Sequence, residues 1–397
     1  MTSLTQPPRT VPERAFTLEL DVFRGIAAVL MIFNHAGFRF LSPNEMHGTA
    51  GGVVVFLGAF APVVFFFATG FGVALSSAGS ARPTDTAALL WKASLLVVAD
   101  QFFFWSFGFT WGLDFFSFIA IATVVVTVVA RLRRSALVCA AFILLLVGLR
   151  YGLGPAISSN LHQFAFLDWV FGTHGVERVS YPLSPWMVYP LLGFLLGRLY
   201  ETVSLRLPHP RDQWFRRGLI AVLGLFSISL LLAEFNNSFF RWGTVSVAFF
   251  VLSLGVVLTS GLLSMYLAMS HRRIAGAIAL RGVASFAVIP LHYAMLAACT
   301  AMLNLPVGQL AFAALAVVIA LISFRASSWF AAVVASTPFA SHRQSLLPVL
   351  LLLLVTLALV TISATGRELV PVALLTLLGQ LVVAAILGMR FAKPLSV

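Results

Sequence analysis

Acid–base chemistry needs ionisable side chains, and Asp, Glu, Lys and Arg make up only 10% of this 397-residue chain. The most informative of them lie together. Asp21-Val22-Phe23-Arg24-Gly25 opens an apolar run that continues to Asn34-His35. At about 100° per residue, the eleven steps from Arg24 to His35 return to within ~20° of one helix face, about 16 Å further along the axis. Asp21 stands three residues before Arg24, shares that face and can pair with it. Gly25, Ala27 and Ala28 leave room alongside for a neighbouring helix or an elongated ligand. The plainer reading makes Asp21 and Arg24 an interfacial anchor and His35 a hydrogen-bonded packing residue. The chemical reading is a long anionic donor, its phosphate resting at Arg24 and its reactive end at His35 acting as general base. The pantetheine arm of coenzyme A has about that reach, and a tunnel joining the two residues is the expected geometry.

These residues must be held by something apolar. Hydrophobic residues make up 60% of the chain and the mean hydropathy is +1.01, whereas ordinary soluble chains carry about a quarter charged residues. A water-soluble enzyme, a disordered chain and a disulfide scaffold are excluded. Apolar runs of about 17–25 residues give twelve candidate spans, centred on Val29, Phe65, Leu96, Ala122, Leu144, Leu192, Leu225, Val256, Ile289, Val318, Leu354 and Val383. The expected fold is all-α and polytopic, with about 10–12 transmembrane helices. Residues 1–19 form a polar leading segment, 20–335 the core, and 346–390 two additional helices.

The charge balance orients these spans. Lys and Arg number 25 against 13 Asp and Glu, a net charge of +12. With the N-terminus inside, 20 of the 25 basic residues fall on inner segments and five on outer ones. The positive-inside rule then makes both termini cytoplasmic and accounts for the basic charge without nucleic acid. The first nineteen residues contain Pro7 and Pro8 and no small-residue cleavage site follows, so an uncleaved first span in a cell (inner) membrane is expected. Cys139 and Cys299 sit in separate apolar segments without metal-ligand spacing, and no metal is expected.

Other polar residues in apolar surroundings are candidates for an inward face. On the third helix these are Lys92, Asp100 and Gln101. Either Asp100 or Asp114 can orient His35, as a carboxylate does for a base. Arg281 and His292 repeat the eleven-residue spacing on the ninth helix, which makes His292 a pocket candidate. The longest outer loop, Gly152 to Pro185, holds Asp168, Trp169, Glu177 and Arg178, with Trp186 just beyond. Carboxylates, amphipathic aromatics and an arginine suit sugar hydroxyls and ring faces. An interfacial aromatic belt explains the Trp and Tyr residues as well.

Four stretches carry a family resemblance. LDVFRGIAAVLMIFNH, from Leu20, resembles the first-helix signature of the transmembrane acyltransferase superfamily, through its Arg-Gly pair and the histidine eleven residues on. That superfamily includes acyltransferase family 3, the glucan succinyltransferases and the heparan-alpha-glucosaminide N-acetyltransferases. Ala61 to Phe71 is similar to its aromatic run ending in Ser-Gly-Phe, with Thr69 in place of serine. YPLSPWMVYPLLGFLLGRLYE, from Tyr181, is similar to the Pro-Trp and Leu-Gly-Arg segment of the heparan-type branch. Ala284 to His292 resembles the late Ser-x-x-x-Tyr-x-x-His helix, with Ile289 where an aromatic is usual. The resemblance implies His35 as the catalytic histidine and Arg24 as the donor-side arginine, with Asp21 beside it. The paired arginines that many family-3 members carry after the second helix are missing, and Arg82 is the basic residue there. Asn34 and Thr69 are implied as pocket residues.

The expected activity is transfer of an acyl group, most simply acetyl, from cytoplasmic acyl-CoA to a hydroxyl of an envelope or exported glycan or glycolipid, with His35 either deprotonating the hydroxyl or transiently carrying the acyl group. That is O-acetylation in polysaccharide modification, with the lipid bilayer as surroundings and no permanently bound cofactor. The competing expectation is a twelve-helix transporter or flippase of a glycan or lipid-linked substrate. Transporters usually show related halves, and residues 1–200 and 201–397 do not resemble one another.

Overall fold

A computed structural model describes residues 15–46, 50–79, 86–106, 112–153, 170–171, 179–204, 210–235, 245–303, 305–336, 351–359 and 369–388. In chain order the helices are α1 (Ala15–Phe40), α2 (Pro43–Met46), α3 (Ala50–Gly58), α4 (Ala61–Gly79), α5 (Thr86–Ser106), α6 (Phe115–Ala130) and α7 (Ser135–Gly148). There follow α8 (Leu183–Trp186), α9 (Val188–Ser204), α10 (Pro210–Phe235), α11 (Val247–Ser270), α12 (Arg272–Ile278), α13 (Val283–Met302) and α14 (Gln309–Ser336). Residues 351–359 form α15 and Leu369–Gly388 form α16.

The protein is an all-α polytopic membrane protein. Among the described residues, eight helices are long and apolar enough to cross a bilayer, and 115–130 and 372–388 are shorter apolar helices. All twelve expected span centres fall within a helix. Long helices satisfy every backbone group internally, which is what an apolar medium demands.

Helix α1 is central, packed by α3, α4, α11, α12, α13 and α14. Against α4 lies α9, which also touches α7; against α11 lies α10; α5, α6 and α16 close another side. Leu144 of α7, Ile220 and Leu230 of α10 and Leu321 of α14 are exposed, as lipid-facing side chains on a bundle's rim should be.

Two of the four resemblance stretches are the two halves of one helix contact. A Cβ on Gly70 of α4 would lie 1.7 Å from the Pro190 carbonyl oxygen of α9, and one on Gly193 of α9 would lie 2.1 Å from the Phe67 oxygen. The backbones therefore touch directly, as small residues allow between membrane helices. The C-terminal helix α16 packs on α5 and α13. Its Gln380 Nε2 donates to the Ala99 oxygen at 3.1 Å and its Thr376 hydroxyl to the Phe102 oxygen at 3.2 Å.

Candidate active site

One end of the site is built on a glycine. A Cβ on Gly25 would sit 1.8 Å from the Ile278 carbonyl oxygen, so the end of α12 rests directly on α1. From that seat the Leu280 N–H donates to the Asp21 backbone oxygen at 3.0 Å. The next residue, Arg281, brings its Nε to 3.3 Å from Asp21 Oδ2. Arg24 Nη1 donates to Asp21 Oδ1 at 3.2 Å. Asp21 thus holds one guanidinium on each oxygen. Gly72 of α4 faces the same group, since a Cβ there would stand 3.4 Å from Arg24 Nη2.

The other end is a pair of imidazoles. His35 Nδ1 lies 2.9 Å from His292 Nε2, and the rings stack at 19° with centroids 5.2 Å apart. His292 is fully buried, and its Nδ1 lies 3.1 Å from the Val288 carbonyl oxygen. A carbonyl only accepts, so the partners assign the protons. His292 Nδ1 carries N–H toward Val288, which leaves its Nε2 as acceptor for the Nδ1–H of His35. The unprotonated nitrogen at the end of the chain is then His35 Nε2. That atom faces the Tyr293 hydroxyl at 3.5 Å, and the Tyr293 ring stacks on His35 with centroids 5.0 Å apart. Asp114 and Tyr181 lie within electrostatic reach of Tyr293.

Arg281 stands two residues before α13 and His292 within it, so α1 and α13 run parallel and in register. Arg24 and Arg281 meet through Asp21, and eleven residues later His35 meets His292. Between the ends, Ala28, Met31 and Ile32 on the same face of α1 are buried.

The remaining candidates fall elsewhere. Asp100 accepts from the backbone N–H groups of Asp114 at 3.1 Å, Phe116 at 3.1 Å and Ser117 at 2.7 Å. It therefore caps the N-terminus of α6, whose own N-cap Asp114 makes no side-chain cap bond, and His292 is the group beside His35. Gln101 completes this clasp on the Gly112 oxygen at 3.1 Å. Asn34 Nδ2 donates to the Val55 oxygen at 2.8 Å and pins α3 to α1. The Thr69 hydroxyl turns back to Phe65 of its own helix at 3.0 Å. Trp186 is fully buried, set edge-on to Tyr181 at 5.0 Å and to Phe66 at 6.0 Å, so its ring offers no surface to an acceptor. Arg82, Asp168, Trp169, Glu177 and Arg178 lie outside the described residues.

Tyr293 was not singled out from the sequence, although it directly follows His292. Arg281 was noticed only for its spacing. Neither has a local pattern that announces a partner on α1.

A histidine pair and an arginine–aspartate–arginine cluster thus mark the two ends of one candidate site in the helical bundle. Residues 17–224, just over half of the chain, match the family described as heparan-alpha-glucosaminide N-acetyltransferase, catalytic. The chain belongs to that family, and membership indicates a multi-pass membrane acetyltransferase. Comparison with curated proteins and with solved structures gives no match. The matched span contains Asp21, Arg24 and His35, while Arg281, His292 and Tyr293 lie beyond it.

Proposed function

We propose that the protein moves an acetyl group from cytoplasmic acyl-CoA to a sugar hydroxyl of an envelope or exported glycan, with His35 as base. The observation that carries this reading is the contact geometry of the imidazole pair, in which two neutral rings with His292 tied to Val288 leave His35 Nε2 as the acceptor beside Tyr293. In the reaction His35 Nε2 takes the acceptor's proton as its oxygen attacks the thioester carbonyl. The C–O bond forms, the C–S bond breaks, and the proton passes from His35 to the departing thiolate. Arg24, fixed by Asp21, holds the donor's anionic end.

The family description, naming a glucosaminide and N-acetyl transfer, favours a second reading in which the acceptor is an amine on an amino sugar. The same base serves both. The test is radiolabelled acetyl-CoA supplied to membranes carrying the protein or its His35→Ala variant. Histidine-dependent glycan label that mild alkali removes supports the ester; label that survives alkali supports the amide. Label at full wild-type level with His35→Ala would defeat both.

A further inference from the structure

We propose that Arg24 and Arg281, brought together by Asp21, form one seat for the phosphates at the nucleotide end of the donor. The inference rests on the acyl-CoA reading above and names the residues that grip the part of the donor away from the reaction.

The argument starts from charge. Two guanidinium groups converge on one carboxylate, so Asp21 neutralises one positive charge and leaves another. Anchoring α1 to α13 needs only one arginine, and an exposed second ion pair contributes little to stability. Arg281 is 73% exposed and engages Asp21 through Nε alone. Its two terminal nitrogens make no other contact among the described residues. The guanidinium is thus paired with Asp21 yet largely open to solvent, and a planar fork so exposed suits bidentate phosphate recognition.

The backbone adds to this field. Gly282, at φ 50°, is the N-cap of the 20-residue helix α13 and has no side chain with which to cap it. The positive end of that helix dipole therefore lies one residue from Arg281. Arg272 and Arg273, also exposed, begin the short helix α12 that delivers Arg281 to the site.

Register supplies the last step. Arg24 precedes His35 by eleven residues, and Arg281 precedes His292 by the same eleven. A ligand whose phosphates touch the guanidinium pair has its other end about 16 Å away, at the imidazole pair. A phosphorylated end and a distant reactive end describe an acyl-CoA. A bare lipid headgroup shares the phosphate chemistry but has no reactive end to place.

The experiment is calorimetric binding of unacylated coenzyme A to the purified full chain. It is run in nanodiscs of phosphatidylcholine, alone or mixed with phosphatidylglycerol. Arg281→Gln should weaken coenzyme A binding by about 10–100-fold, the usual worth of a charged hydrogen-bonding pair. Arg281→Lys should recover part of it. Pantetheine, which lacks the phosphates, should bind wild type and Arg281→Gln alike. Because Arg281 is exposed, the variant should melt as wild type does, which separates lost binding from lost folding. Equal coenzyme A affinity in wild type and Arg281→Gln would overturn the inference while leaving the donor reading intact. So would an Arg281 effect seen only as lost phosphatidylglycerol association, which would assign the site to lipid. A wild type that binds no coenzyme A in either disc would overturn the donor reading itself.

Discussion

His35 and His292, 257 residues apart in the chain, place Nδ1 and Nε2 2.9 Å from one another. If His35 is the base proposed above, the contact supplies it with an orienting partner that need carry no charge. A carboxylate in that place would add a buried charge to an apolar core, a cost of several kcal/mol. A second imidazole, itself tied to a helix carbonyl, sets the same tautomer without that charge.

If His35 is the base, His35→Ala should lower acetyl transfer by about 10²–10⁴-fold, the usual worth of general-base catalysis. The protein should still insert and fold, with only a modest fall in melting temperature from the His292 nitrogen left unpaired. Labelling with acetyl-CoA in membranes, beside a folding assay in detergent, reads both. Undiminished transfer would remove His35 from the mechanism.

On the proposed reading His292 acts through His35, so its loss should appear in kcat and leave the donor KM nearly alone. His292→Ala should cost about tenfold to a hundredfold in kcat, the equivalent of one buried hydrogen bond. His292→Gln, which still has an acceptor oxygen and a donor nitrogen, should recover part of it. Equal damage by Ala and Gln, tracking loss of Tm, would mark His292 as packing alone.

The clasp made by Asp100 predicts a stability effect without a catalytic one. Asp100→Ala strips three backbone donors of their acceptor, each worth about 1–3 kcal/mol when buried. Asp100→Asn keeps an acceptor oxygen and should lose less. Thermal melting of both, alongside the pH profile of transfer, checks this. A profile that moves with Asp100→Asn would mean that the carboxylate acts on the base after all.

The glycine contact between α4 and α9 predicts a contrast. Gly70→Ala drives a methyl into the Pro190 carbonyl and should destabilise by about 1–3 kcal/mol or more, as overpacking does. Gly148, at the end of α7, has nothing within 4 Å of its Cβ position. Gly148→Ala should be neutral or stabilising by about 0.5–1 kcal/mol. A pair of melting curves decides it, and equal Tm values for the two variants would contradict the close approach.

The spans were legible because a run of apolar residues has few uses outside a membrane, and all twelve centres lie in helices. The Asp21–Arg24 pair was legible because three residues is a fixed geometric neighbour on a helix. The histidine pair was not. The repeated Arg-to-His spacing was visible, but spacing within each helix says nothing about which helices touch or whether they run parallel. Asp100 misled for a physical reason. A charge in an apolar segment must find partners, and here they are backbone N–H groups at the start of α6, which leave no mark on side-chain type. Trp186 misled because an amphipathic aromatic beside an outer loop looks the same whether its ring faces the interface or the core.

The docking of α16 on α5 bears on the order in which the chain assembles. Gln380 is buried, and its amide has a partner only once α16 lies against Ala99. Until then that amide sits in an apolar helix with lipid around it, an arrangement the bilayer disfavours. The last described helix to leave the ribosome is therefore driven inward by its own polar residue, toward the helix whose Asp100 and Gln101 clasp the start of α6. A chain cut short before Gln380 would keep the whole Asp21–His35 segment yet lack the late-arriving staple beside that clasp. Such a product should persist as an incompletely packed intermediate, exposed to membrane quality-control proteases.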